Sequence, residues 1–278
     1  MPTLGHQVSP RIRRAWRQRK HVRYMARHVS LAVVLSRLSA LWHRTMDGRL
    51  PHTPSEKRHL RQRLFDLFAA DLTHAGAGDY PEALLDQFPL ISYLSRVPNG
   101  IGEFPRIWAR RRRGAHHEVP TTATGEYPAY YERTFHWQSD GWLSDRSAAM
   151  YDPGVEFLFG GTADVMRRMI IPDVVKAVRN SPTTRILDVA CGTGRFLGQL
   201  RSALPEVTLI GIDLSPFYVQ FARGENRQKM IEFETANAEA LPYPDNEFDA
   251  VTCVFLFHEL PKDVRRTVAR EMLRVVKP

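Results

Sequence analysis

The feature that most constrains this chain is a glycine turn set between an apolar strand and an amphipathic helix. The strand reads Ile186-Leu-Asp-Val-Ala190 and the turn Cys191-Gly192-Thr193-Gly194. Two glycines so close let the backbone turn sharply and bring its amides near a ligand. The pattern then repeats. Phe196, Leu197, Leu200 and Leu204 share one helical face, and 207–212 is a second apolar run ended by Asp213. Ser215 and Pro216 have the cap and first-turn chemistry of a helix over 215–229. Further strands are expected at 231–235 and 248–255, then a helix over 262–275. Strands alternating with helices predict an α/β fold: a Rossmann-like, doubly wound, mainly parallel sheet with ligands at the carboxyl ends of its strands.

The turn also narrows the ligand. A dinucleotide fingerprint needs a third glycine where this chain has Leu197. Asp188, at the end of the strand, would repel a pyrophosphate and attract a cationic ligand. Asp213 lies 19 residues beyond Gly194, where an acidic residue accepts hydrogen bonds from ribose hydroxyls. An adenosine with a cationic tail points to S-adenosylmethionine and disfavours a nicotinamide oxidoreductase.

Five motifs then stand in order: Leu187-Asp-Val-Ala-Cys-Gly-Thr-Gly194, Gly211-Ile-Asp-Leu-Ser215, Asn237-Ala-Glu-Ala-Leu-Pro242, Phe248-Asp-Ala-Val251 and Leu273-Arg-Val-Val-Lys-Pro278. Together they resemble the class I S-adenosylmethionine-dependent methyltransferases, in the group that includes the quinone C-methylases. The resemblance implies that Asp188, Ala190, Gly192 and Gly194 hold the methionine portion and that Asp213 binds the ribose. It implies that Leu214 packs on the adenine, with Asn237 and Ala238 at its edge. Asn237 replaces the aspartate usual there, and Ala190 stands where many members have glycine. The implied activity is methyl transfer to a small-molecule acceptor, lipophilic or aromatic. The family has seven strands and four are legible, so the chain is expected to be a C-terminally truncated form with its fourth strand an uncovered apolar edge.

Between Tyr127 and Phe159 the chain is dense in aromatic residues, as a core or pocket wall would be. The resemblance makes this stretch a cap over the cofactor. Tyr151 is expected at the cofactor's methionine end, and His136, Tyr131 and Asp140 could orient or deprotonate an acceptor. His258, after the fourth strand, would face the same site. Two cysteines, Cys191 and Cys253, are too few for a disulfide framework or a cysteine zinc cluster, and no metal is expected.

The net charge of +9 is unevenly placed: residues 1–117 hold 21 Lys/Arg against 8 Asp/Glu, and 118–278 hold 18 against 22. Three regions follow: a basic, mainly helical region over 1–117, an aromatic cap with its lead-in helix over 118–180, and the core over 181–278. Within the first, helices are expected over 56–72 and 80–94, with a glycine loop over 73–79; a helix over 162–179 has a kink at Pro172. No apolar run near the N-terminus reaches the ~20 residues of a membrane span. The arginines before Asp47 therefore suit an amphipathic helix on an anionic membrane, an organelle transit peptide, or a helix packed on the rest of the chain. The run Arg110-Arg-Arg-Arg113 lacks interleaved aromatic residues, so no specific nucleic acid is expected. The expected location is cytoplasmic, with peripheral membrane contact. A second class of function is a non-catalytic protein that binds S-adenosylmethionine, or docks on membrane or nucleic acid.

Overall fold

Four strands, β1 (Arg185–Val189), β2 (Thr208–Asp213), β3 (Ile231–Thr235) and β4 (Ala250–Thr252), form one sheet in the order β3-β2-β1-β4. All three pairings are parallel. The structure is a computed structural model and describes residues 10–46, 53–89, 91–96, 98, 109, 127–132 and 140–278. His136, the arginine run at 110–113 and the expected boundary at 114–125 lie outside the described residues.

β1 is the central strand, buried from Ile186 to Val189, which is why it reads as an unbroken apolar run. The chain winds outward from β1 to β2 and β3, then crosses back to β4 on the other side of β1. That reversal opens a crevice at the carboxyl ends of β1 and β4. The joining helices are α6 (Arg195–Ala203), α7 (Pro216–Glu225) and α8 (Lys262–Val275). Alternation along the strands feeds two cores. Ile186 and Leu209 face Leu197, Leu200, Val219 and Phe233 on one side. Leu187, Val189, Ile210 and Ile212 face Phe248, Val268 and Val275 on the other.

Several elements differ from expectation. β4 covers three residues rather than 248–255, because Phe255 takes a left-handed φ of 66° and the chain leaves the sheet. At the approach to β4, Phe248 is bridged in parallel by Val276, so the edge expected to lie bare is covered there. α7 stops at Glu225, where the Asn226 amide donates to the Ala222 carbonyl at 2.9 Å. The helix expected over 162–179 is two, α4 (Ala163–Arg168) and α5 (Ile171–Ala177); Pro172, with no N–H, opens the second. The expected loop over 73–79 is mostly helix: α2 (Pro54–Ala77) runs through Gly76 and ends at Gly78, whose φ is 87°. A 3-10 turn at Glu82–Asp86 and a helical turn at 91–96 replace the helix expected over 80–94.

The basic N-terminal helix, α1 (Pro10–Met46), packs on the core through Tyr24, His28 and Ala32, spaced one helical turn apart. Below them Asp71 of α2 is fully buried. It accepts from the Tyr24 hydroxyl, from the Tyr80 hydroxyl at 2.5 Å and from Arg168 Nε at 2.9 Å. A buried carboxylate needs such partners. Here they fasten α1 and α2 to α4, and Tyr24 and Phe68 join the same apolar cluster as Ile186 and Leu197.

Candidate functional site

A cavity of about 350 Å³ lies at the carboxyl ends of β1, β2 and β4, under the aromatic cap. Its floor is the glycine turn. Ala190 and Gly192 line it in left-handed conformations, φ 58° and 55°. An alanine at such a φ is costly, on the order of 1–2 kcal/mol.

Asp213, at the end of β2, lines the same floor. Its Oδ2 accepts from the Gly192 amide and its Oδ1 from the Ser215 amide, both at 2.9 Å. Burial pushes this carboxyl up to about 6, while the amides pull it down. Each carboxylate oxygen has a second lone pair, so Asp213 can still accept from a ligand. Leu214, Asn237 and Ala238 line the wall beside it. Asp188 and Gly194 do not line the cavity. Asp188 is buried and accepts from the Thr252 hydroxyl at 2.8 Å, and desolvation pushes it up to about 7. Gly194 caps α6 at φ 70°, and a Cβ there would meet Phe233 at 2.7 Å.

The roof comes from the stretch ahead of the sheet. Tyr131, Trp142 and Tyr151 line it, with Val155, Leu158 and Phe159 from α3 (Asp145–Leu158) and its C-terminal edge. Trp142, Tyr151 and Tyr218 meet edge to face, with centroids 5.4–5.7 Å apart. Polar ties hold this roof to the sheet layer. Ser215 Oγ donates to the Trp142 carbonyl at 2.5 Å, and the Ser147 and Tyr218 hydroxyls lie 3.0 Å apart. The Tyr130 hydroxyl donates to Glu239 at 2.6 Å. Burial, then the charge of Asp213, push the Tyr131 phenol well above its ordinary value. His258 also lines the cavity, its Nε2 3.0 Å from Glu259 Oε1. Asp140 is described but does not line it.

Sequence reasoning missed the group that sets the turn. Behind it, Asp152 accepts from Thr193 Oγ1 at 2.7 Å and from Arg167 at 2.9 Å. Arg167 and Arg195 both reach Asp164, and Glu156 caps α4 through the amides of Ala163 and Asp164. Burial raises Glu156 to about 7. The only signal was a clustering of charges among apolar positions at 152–168. Phe255, expected in a strand, instead walls the cavity and stacks on Phe159 at 5.8 Å.

The described wall contains no lysine or arginine, and its ionisable groups are Asp213, Glu259, His258 and tyrosines. Such a lining suits a cation and repels a pyrophosphate. Among the described residues no cluster of His, Cys, Asp and Glu is arranged to hold a metal.

A family model described as a methyltransferase domain matches residues 186–278. Residues 186–278 are thus similar to a methyltransferase domain, in agreement with the five motifs. The demethylmenaquinone methyltransferase of Deinococcus radiodurans is 43% identical to this chain over 105 residues, 37% of this chain and 42% of that protein. That of Renibacterium salmoninarum is 37% identical over 136 residues, 49% and 53% of the two chains. The chain spans about half the length of the curated relatives it matches. A solved S-adenosylmethionine-dependent methyltransferase from Aquifex aeolicus is 27% identical, with 38% of this chain and 57% of that one covered and a TM-score of 0.33. Within the matched residues, the glycine turn and Asp213 form the cavity floor, and the residues ahead of them supply the roof.

Proposed function

We propose that this chain binds S-adenosylmethionine in the cavity and transfers its methyl group to a small lipophilic acceptor. The observation that carries the reading is Asp213: a carboxylate with lone pairs to spare, at the end of β2, in a wall without lysine or arginine among the described residues. Ribose hydroxyls would donate to it, with Leu214 against the adenine and Asn237 at its edge. The left-handed turn at Ala190 and Gly192 leaves room for the amino-acid portion, next to Tyr151. When bound, the cofactor supplies a methyl group on a cationic sulfur.

The chain's own contribution is position. Holding acceptor and methyl group at near-attack distance can lower a barrier by up to ~7–11 kcal/mol. The aromatic roof suits a flat, apolar acceptor, and the relatives' names suggest a demethylmenaquinone. Tyr131 and His258, at the wall, are the groups offered for orienting it or taking its proton.

The test is transfer of labelled methyl from S-adenosylmethionine to reduced demethylmenaquinone. Label in the quinone is expected, falling about tenfold or more in Asp213→Ala, the scale of losing charge-assisted hydrogen bonds. Tight cofactor binding with no label in the quinone or in a lipid extract would instead favour binding without transfer.

A further inference from the structure

We infer that the outward face of α1, with the first half of α2, docks on an anionic lipid bilayer. α1 has two faces. Tyr24, His28 and Ala32 point into the protein. Arg19, Val22, Arg23, Val33, Val34 and Arg37 fall on the opposite side and are exposed. Val22 is 67% exposed and Val34 52%, so the outward face carries apolar side chains that folding does not use. In α2, exposed Leu60 and Phe65 stand among exposed Lys57, Arg58, Arg61 and Arg63.

The charge selects the partner. α1 carries ten Lys/Arg and no acidic residue. That excess complements a surface of lipid phosphates. A second copy of the chain would meet it with like charge. Exposed valines and leucines gain nothing from a nucleic-acid backbone, whereas in a bilayer interface they are buried between the headgroups. Among the described residues no helix is long and apolar enough to cross a membrane, so the contact is peripheral.

The inward face of α1 lies close to the site. Leu31 of α1 is 2.6 Å from where a Cβ on Gly161 would stand, and Leu35 is 3.5 Å from it. Leu158 and Phe159, just ahead of that glycine, line the cavity and are partly exposed. Leu31 and Leu35, on the inward side of α1, thus pack beside the cavity rim and leave the outward face free. The docking does not depend on the proposed methyl transfer.

The test is flotation of the full chain with phosphatidylcholine vesicles, with and without ~30% phosphatidylglycerol. Partition at least ~tenfold stronger onto the anionic vesicles, and falling as salt is raised, is expected. Val33→Glu with Val34→Glu, and separately Arg19→Glu with Arg23→Glu, should each weaken it about tenfold. Both pairs are exposed, so thermal melting and S-adenosylmethionine binding should stay unchanged. No partition, equal partition onto neutral vesicles, or partition indifferent to both double variants would overturn the inference. So would duplex DNA binding that both variants weaken without any vesicle preference, or a dimer that Val33→Glu with Val34→Glu dissociates in the absence of lipid.

Discussion

Gly192 and Asp213, 21 residues apart in the chain, are joined by an amide-to-carboxylate hydrogen bond of 2.9 Å. The bond ties the turn after β1 to the end of β2, so the bend and the charge form a single surface. Any ligand that settles on the turn meets Asp213 at once.

That carboxyl sits at about 6, raised from 3.8 chiefly by burial. A ligand that donates to the carboxylate binds the ionised form. Its affinity should be level above about pH 7 and fall about tenfold per unit once the pH is well below 6. Asp213→Asn, which keeps the shape, should bind more weakly at neutral pH and lose this pH dependence. Titration at a series of pH values checks both.

Asp188 is raised further, from 3.8 to about 7, because it is buried with only the Thr252 hydroxyl against it. Its folded value lies above its unfolded one. Its contribution to stability is therefore full below about pH 4 and lost as the pH rises through about 7. Asp188→Asn should be more stable than the parent near pH 8, on the order of 2–4 kcal/mol, with the difference shrinking toward pH 5. Urea melts at the two pH values measure this.

Two of the three left-handed positions of the turn, Ala190 and Gly194, should respond with opposite sign. Gly194→Ala places a Cβ at φ 70° and within 2.8 Å of Phe233 and Asn226 atoms. The expected loss is about 2–4 kcal/mol, from strain and overpacking together. Ala190→Gly relieves a φ of 58°, and the gain, offset by the added freedom of the unfolded chain, should be under about 1 kcal/mol. Paired denaturation curves decide it.

Arg168 is the cation under Asp71, and its removal strands a buried carboxylate between Tyr24 and Tyr80. Arg168→Met should cost about 3–5 kcal/mol. Because the pair joins α1 and α2 to the rest, the loss should appear in one transition reported equally by tyrosine fluorescence and by helical circular dichroism. Two separate transitions would mean that the N-terminal helices melt on their own.

The legible parts of the fold were those set by local chemistry. β1, the glycine turn, the Ser215 cap and Asp213 at a strand end all follow from neighbouring residues. β4 was overdrawn because the run Cys253 to Phe257 is apolar for a different reason: Val254, Phe255 and Leu256 wall a cavity. A wall and a strand read alike. α1 was open between a free amphipathic helix and a packed one, since its arginines hide the four-residue spacing of Tyr24, His28 and Ala32. Only Asp71, 47 residues past Tyr24, resolves the inward face. The charges at Asp152, Glu156, Asp164 and Arg167 look like a solvated surface, and their burial is a tertiary fact with no local signature.

Calorimetric titration of the full chain with S-adenosylmethionine and with NAD, repeated on Asp213→Ala, decides which cofactor the cavity takes. Binding of S-adenosylmethionine alone is expected, weakened about tenfold or more by the substitution. Binding of NAD in its place, or S-adenosylmethionine binding that Asp213→Ala leaves untouched, would contradict the proposed function.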